Sequence, residues 1–126
     1  MNILRNHLRQ ALVVKPRPDG SGFAANLSLE TDFAGFAGHF PGAPVLPGIC
    51  LITASLLAAG QTRQRTCRLS RIRNCKFFSP VAPGQAISFE GRIGQPDDRG
   101  EYRIDVDVAC EDRKVASLRL LARDLP

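Results

Sequence analysis

From Gly48 to Gly60 the chain carries no charge: Gly-Ile-Cys-Leu-Ile-Thr-Ala-Ser-Leu-Leu-Ala-Ala-Gly, with Thr53 and Ser55 its only polar side chains. A helix apolar on every side has no face to offer water, so it must be enclosed by the rest of the fold. The run is too short to cross a bilayer, which takes about 20 apolar residues. Pro47 suits the first helical turn, where its missing N–H is not needed. Gly60 suits the position just past a helix end. The remaining residues therefore have to wrap one buried rod.

What they offer for wrapping is mostly strand. Residues 1–9 suit a short amphipathic helix, with Ile3, Leu4 and Leu8 on one side, and 10–15 a strand through Leu12, Val13 and Val14. Residues 16–22 are dense turn chemistry. Phe23, Ala25, Leu27 and Leu29 then alternate with less apolar neighbours, the period of a half-buried strand. After the helix come strand expectations over 66–78, 87–93, 102–110 and 115–122, joined by short polar turns that favour antiparallel pairing. Tyr102, Ile104, Val106, Val108 and Cys110 give the cleanest alternation. The expected class is α+β: about six antiparallel strands, curved by their own twist around a central helix. With 126 residues this is one domain, 1–126, large enough to bury a core without staples. One curved sheet over one helix leaves the helix partly open, so oligomer formation is expected.

The four cysteines, Cys50, Cys67, Cys75 and Cys110, show no CxxC or Cys/His pairing, so no metal site is expected. They read as free thiols in a reducing compartment. The N-terminus lacks the continuous apolar core of a signal peptide, which points to the cytoplasm. The net charge of +5 is concentrated in Arg63, Arg65, Arg68, Arg71, Arg73 and Lys76. Such a patch implies an acidic partner. Nucleic acid fits poorly: there is one Tyr, no Trp and no evident groove-reading helix. An acidic carrier protein is the other candidate. The plainer alternative is a solvated basic edge strand, where charge discourages aggregation.

The loop before the helix has prolines at 41, 44 and 47 and glycines at 38, 42 and 48 around a single histidine, His39. Rigid backbone on both sides is how a titratable group is held in place. Gly48 offers an unobstructed backbone N–H at a helix start, where partial positive charge suits a developing oxyanion. A base near such a site is suited to removing a proton next to a carbonyl. The alternative for His39 is a hydrogen-bonded structural histidine.

The run Gly38-His39-Phe40-Pro41-Gly42-Ala43-Pro44-Val45-Leu46-Pro47-Gly48 resembles the signature of the FabZ/FabA-type 3-hydroxyacyl-[acyl-carrier-protein] dehydratases. Lys76-Phe77-Phe78-Ser79-Pro80-Val81-Ala82-Pro83-Gly84 resembles that family's Lys-Phe-x-x-Pro-Val-x-Pro-Gly segment. The likeness covers roughly residues 20 to 120. It implies a hot-dog fold and the elimination of water from a 3-hydroxyacyl thioester to a trans-2-enoyl thioester. His39 would take the α-proton or hold the hydroxyl, and the Gly48 N–H would polarise the thioester carbonyl. Phe40, Val45, Pro47 and Phe77 would line the acyl site. No cofactor is implied beyond the phosphopantetheine arm of an acyl carrier protein, which the basic patch would meet. The family's minimal unit is a dimer with shared sites.

One position departs from the pattern. The family places a glutamate or aspartate on the helix five residues after the Pro-Gly glycine, and here Thr53 stands there. A threonine hydroxyl hydrogen-bonds a substrate but is a poor acid near neutral pH, and losing a general acid costs about 10²–10⁴-fold. Glu30 and Asp32 precede the loop as substitute carboxylates or surface acids. Gln85 stands where the family has an aspartate after its second Pro-Gly. Three readings follow: a dehydratase for fatty-acid or polyketide/aryl-polyene-type synthesis; a non-catalytic or half-site subunit that binds carrier or completes a heteromeric dehydratase; and, ranked last, an acyl thioesterase.

Overall fold

The computed structural model describes residues 3–30, 33 and 45–126. Its elements run α1 (Ile3–Ala11), β1 (Val13–Pro16), β2 (Gly22–Ser28), α2 (Gly48–Arg63), β3 (Cys67–Phe77), β4 (Ala86–Ile93), β5 (Glu101–Cys110) and β6 (Arg113–Asp124). The strands form a single sheet in the order β1-β2-β4-β5-β6-β3, and every pairing is antiparallel.

Both edge strands, β1 and β3, touch α2. Six strands spaced about 4.8 Å apart would lie roughly 24 Å across if flat. One helix about 10–12 Å wide cannot touch both edges of such a sheet. The sheet therefore curls round the helix, giving the hot-dog arrangement. Alternation supplies the lining: Ile87, Phe89, Tyr102, Ile104, Val106, Leu118 and Leu120 are all buried on its inner side. Along α2 every residue from Cys50 to Gly60 except Thr53 is buried, as an uncharged rod requires. Before Gln61 its accessible positions are Gly48, Ile49 and Thr53, the last two one turn apart on one face.

Three boundaries differ from the sequence expectation. The first helix lies at Ile3–Ala11, and β1 is shorter than 10–15, because Leu12 is still bonded back to the Leu8 carbonyl. Pro47 is the N-cap, with φ −64° and ψ 146°, so helical geometry begins one residue later. Gly60 does not end α2; the left-handed residue is Gln64, with φ 57°. Glycine stands at 60 for a different reason: a Cβ there would lie 2.7 Å from the Arg65 carbonyl oxygen, where the chain folds back across the helix.

Candidate active site

Two distant parts of the sequence meet at the N-terminal end of α2. The Leu46 N–H donates to the Val81 carbonyl at 2.8 Å, joining the segment before the helix to the loop after β3. Phe77, at the end of β3, lies across Gly48: a Cβ at 48 would sit 2.7 Å from its ring. Between these segments is an open cleft of about 350 Å³ lined by Val45, Leu46, Gly48, Leu51, Phe77 and Phe78, among others. Phe77 and Phe78 are each about half exposed, at 52% and 53%. Among the described residues no side chain caps α2; the Cys50 N–H bonds back to the Pro47 carbonyl at 3.0 Å, which leaves the Gly48 and Ile49 amides without an acceptor inside the helix. That leaves an apolar cleft with a partly positive helix end on its wall, suited to a chain ending in a polarised carbonyl.

Among the sequence-derived site residues, Val45, Pro47, Gly48 and Phe77 come together here. His39 and Phe40 lie outside the described residues, as does Asp32; Glu30 is exposed at the end of β2. Thr53 is part-exposed on the open face of α2, and its hydroxyl donates to the Ile49 carbonyl at 2.8 Å. Its single proton is thus already used within the helix.

Three participants were missed by sequence reasoning. Arg113 organises the loop that carries Val81. It donates to the Ser79 hydroxyl at 2.8 Å, the Pro80 carbonyl at 2.7 Å and the Gln85 side-chain oxygen at 2.8 Å. Gln85 also accepts from the Ala82 N–H at 2.9 Å, so a neutral amide here holds the loop by hydrogen bonding alone. Phe78 lines the cleft and also a neighbouring hollow of about 410 Å³ whose charged residues are Lys76, Lys114 and Arg119 together with Glu90 and Asp107. Arg113 and Lys114 were read only as turn residues. Their place opposite Ser79 follows from the β3–β6 pairing, a long-range register that local patterning does not encode.

The basic set divides. Arg63 holds Asp124 through two nitrogens and stacks over Tyr102, 4.2 Å from the ring centre. Arg71 pairs with Glu101 at 3.6 Å and Arg73 with Asp105 at 3.4 Å. Both acids belong to β5, so the edge strand β3 meets its counter-charge across β6. Arg65 lies 3.8 Å from Asp124 and Arg68 is exposed. Lys76, at the far end of β3, adjoins the cleft through Phe78.

All four cysteines are free. Burial pushes the Cys50 thiol, inside α2, up to about 11, so it is neither a nucleophile nor an acid near neutral pH. Among the described residues no helix is long and apolar enough to cross a membrane.

The profile of the ApeI-like family, described as ApeI dehydratase, matches residues 15–119. A 3-hydroxyacyl-[acyl-carrier-protein] dehydratase FabZ from Bacillus licheniformis is 31% identical over 107 residues, covering 74% of this chain and 72% of that protein. The FabZ of Thermomicrobium roseum is 39% identical over 98 residues, 68% of this chain and 64% of that protein. Among solved structures, the dehydratase heterocomplex ApeI:P from Xenorhabdus doucetiae aligns with a TM-score of 0.68 over 88% of this chain and 96% of that one. Sequence identity there is 20%, so that likeness concerns the fold.

Proposed function

The chain belongs to the ApeI-like dehydratase family, and on that premise we propose that it removes water from a 3-hydroxyacyl thioester borne by an acyl carrier protein. The observation that carries the reading is the meeting of Gly48 and Phe77 in one cleft beside a helix start that has no side-chain cap among the described residues. The acyl chain lies along Leu51 and the two phenylalanines. The Gly48 N–H polarises the thioester carbonyl, which acidifies the α-carbon. His39 takes the α-proton and returns it to the 3-hydroxyl, which leaves as water, and a trans-2-enoyl thioester remains. The carrier approaches from the Lys76 side, where Lys76 and Lys114 flank the exposed Phe78; the mid-strand arginines are already engaged by acids. No cofactor is required beyond the carrier's phosphopantetheine arm. The setting is the cytoplasm, and the unit is a single domain that works as a dimer or larger.

A second reading is favoured by one observation. Thr53 stands where the family has its acid, and beside it Ile49 is 56% exposed on the accessible face of α2. A second hot-dog chain covering that face would supply a carboxylate to His39, making this chain one half of a heteromeric dehydratase.

The test is dehydration of a carrier-linked 3-hydroxyacyl substrate, assayed with the chain alone and with candidate partner subunits. Turnover that His39→Ala abolishes is the expected result. Activity of the pure homodimer selects the first reading; activity only with a second hot-dog chain selects the other. No turnover in either setting overturns both.

A further inference from the structure

Among the described residues, one backbone bond ties the segment leading into α2 to the rest of the fold: the Leu46 N–H donates to the Val81 carbonyl at 2.8 Å. Pro47 has no N–H to add a second, and Gly48 follows directly. The position of the Gly48 amide therefore depends on where Val81 is held. Val81 belongs to the loop after β3, and a loop is placed by what anchors it. Its ends are fixed by backbone bonds, from the Phe78 N–H to the Val115 carbonyl and from the Gly84 N–H to the Leu29 carbonyl. Its middle is fixed by side chains. One guanidinium nitrogen of Arg113, at the start of β6, donates to the Ser79 hydroxyl and the Pro80 carbonyl, and the other donates to the Gln85 side-chain oxygen. That same oxygen accepts the Ala82 N–H at 2.9 Å. Val81 thus sits between Pro80, held by Arg113, and Ala82, held by Gln85. Both partners of Gln85 are donors, so its oxygen is the atom in use. Val45 is a wall of the proposed dehydration cleft and also of a hollow of about 390 Å³ that Arg113 and Gln85 line, so this pair stands directly behind the site.

We infer that Arg113 and Gln85 are positioning residues: together they clamp the loop that fixes Leu46, and through Leu46 they hold the Gly48 N–H at the cleft. The consequence for turnover rests on the proposed dehydration; the consequence for Leu46 does not.

Amide hydrogen exchange followed by NMR is the first readout. In Gln85→Leu the Leu46 amide should exchange at least about tenfold faster, while Leu57 in α2 and Ile104 in β5 keep their wild-type rates. Arg113→Met, which keeps the stem and removes the donors, should do the same. Gln85→Glu, whose carboxylate accepts from both donors, should bring Leu46 back towards the wild-type rate. The second readout is dehydration of the carrier-linked substrate. In Gln85→Leu and Arg113→Met kcat should fall, by up to about 10²-fold, with KM changed far less, and Gln85→Glu should recover it. Gln85→Leu leaves the Arg113 charge in place. A loss confined to KM and seen only in Arg113→Met would mean that Arg113 meets the carrier, and it overturns the inference. Unchanged Leu46 exchange, an acceleration shared equally by Leu57 and Ile104, or faster Leu46 exchange with wild-type kcat overturns it as well. If the wild type shows no turnover, the proposed function fails, and the Leu46 exchange still decides the clamp.

Discussion

At its C-terminal end α2 is tied down by a chain of side-chain bonds; at its N-terminal end, among the described residues, only backbone hydrogen bonds hold it. The tied end starts at the Cys67 thiol, 2.9 Å from the Tyr102 hydroxyl. That hydroxyl donates to Asp124 at 2.7 Å, so its one proton is spent and the thiol must donate to it. Arg63 then closes the chain from the helix onto Asp124. Helix, β3, β5 and β6 are thus joined through four side chains. At the other end, among the described residues, Pro47 caps with backbone only, and the half-exposed Phe77 ring lies across Gly48. Rigidity is concentrated where no chemistry is proposed, and unspent hydrogen-bonding capacity is left where a substrate would use it. A network that fixes the rod from behind lets the front stay open without the helix shifting.

Restoring a carboxylate at the open end tests this contrast most severely. Thr53→Glu should raise dehydration by the chain alone by about 10²–10⁴-fold, the usual worth of a general acid. Thr53 is part-exposed, so the larger side chain needs no repacking. A gain in steady-state turnover would mean that the rest of the site is intact; no gain, with the fold preserved, would mean that a partner must complete it. Gly48→Ala should act next most strongly. The new Cβ would drive the Phe77 ring into the cleft beside the amide, and a misplacement of about 1 Å can cost up to about 10²-fold. The ring is half exposed and able to swing aside. The melting temperature should therefore hardly change while turnover falls. A parallel loss of both would place Gly48 in packing rather than at the site.

That asymmetry between the ends also marks what was legible in the sequence. The buried rod was visible because an uncharged run is a statement about every face of a helix at once. The strands were visible because alternation is local, and β5, with its unbroken alternation, was the clearest. The N-terminal end of α2 was legible through proline and glycine, whose backbone constraints are written in single residues. The C-terminal end was not. Gly60 looks like a stop signal, yet its reason for being glycine is a close approach by residue 65, which belongs to tertiary structure. The link between Cys67, Tyr102 and Asp124 joins three strands, and Arg113 reaches Ser79 and Gln85 only through the register of β3 on β6. The basic stretch looked like one patch because charge was counted along the chain. In space Arg63 and Arg65 share Asp124, Arg71 and Arg73 face Glu101 and Asp105, and Lys76 lies beside Phe78 at the far end of β3.

Breaking the tied end should cost stability first. Asp124→Ala leaves Arg63 and the Tyr102 hydroxyl without their acceptor, a partly buried pair losing its anion. The expected loss is about 2–3 kcal/mol of unfolding free energy, read from urea denaturation. Turnover at a temperature where both proteins are folded should be little affected. A turnover loss comparable to that of Gly48→Ala would mean that the two ends are coupled and the contrast between them is false.

The smallest effect is the pH dependence of the same carboxylate. The hydrogen bond from Arg63, then that from Tyr102, holds Asp124 below its ordinary value of 3.8, against an opposing desolvation. With the native pKa below the unfolded one, the unfolded chain binds the proton first as pH falls. The stabilisation from Asp124 is therefore fully present above about pH 4–5 and is lost as pH drops through the native value. Asp19 and Asp97 are also held low, by hydrogen bonds within exposed turns, so the acid limb of the wild type alone would mix three contributions. Comparison with Asp124→Asn removes the other two, because they titrate alike in both proteins. The stability gap between wild type and Asp124→Asn, measured in urea, should be constant near neutrality and should narrow between about pH 5 and pH 3. A gap that stays the same across that range would mean that Asp124 acts there as a neutral acceptor and that its charge does not help to fasten the helix.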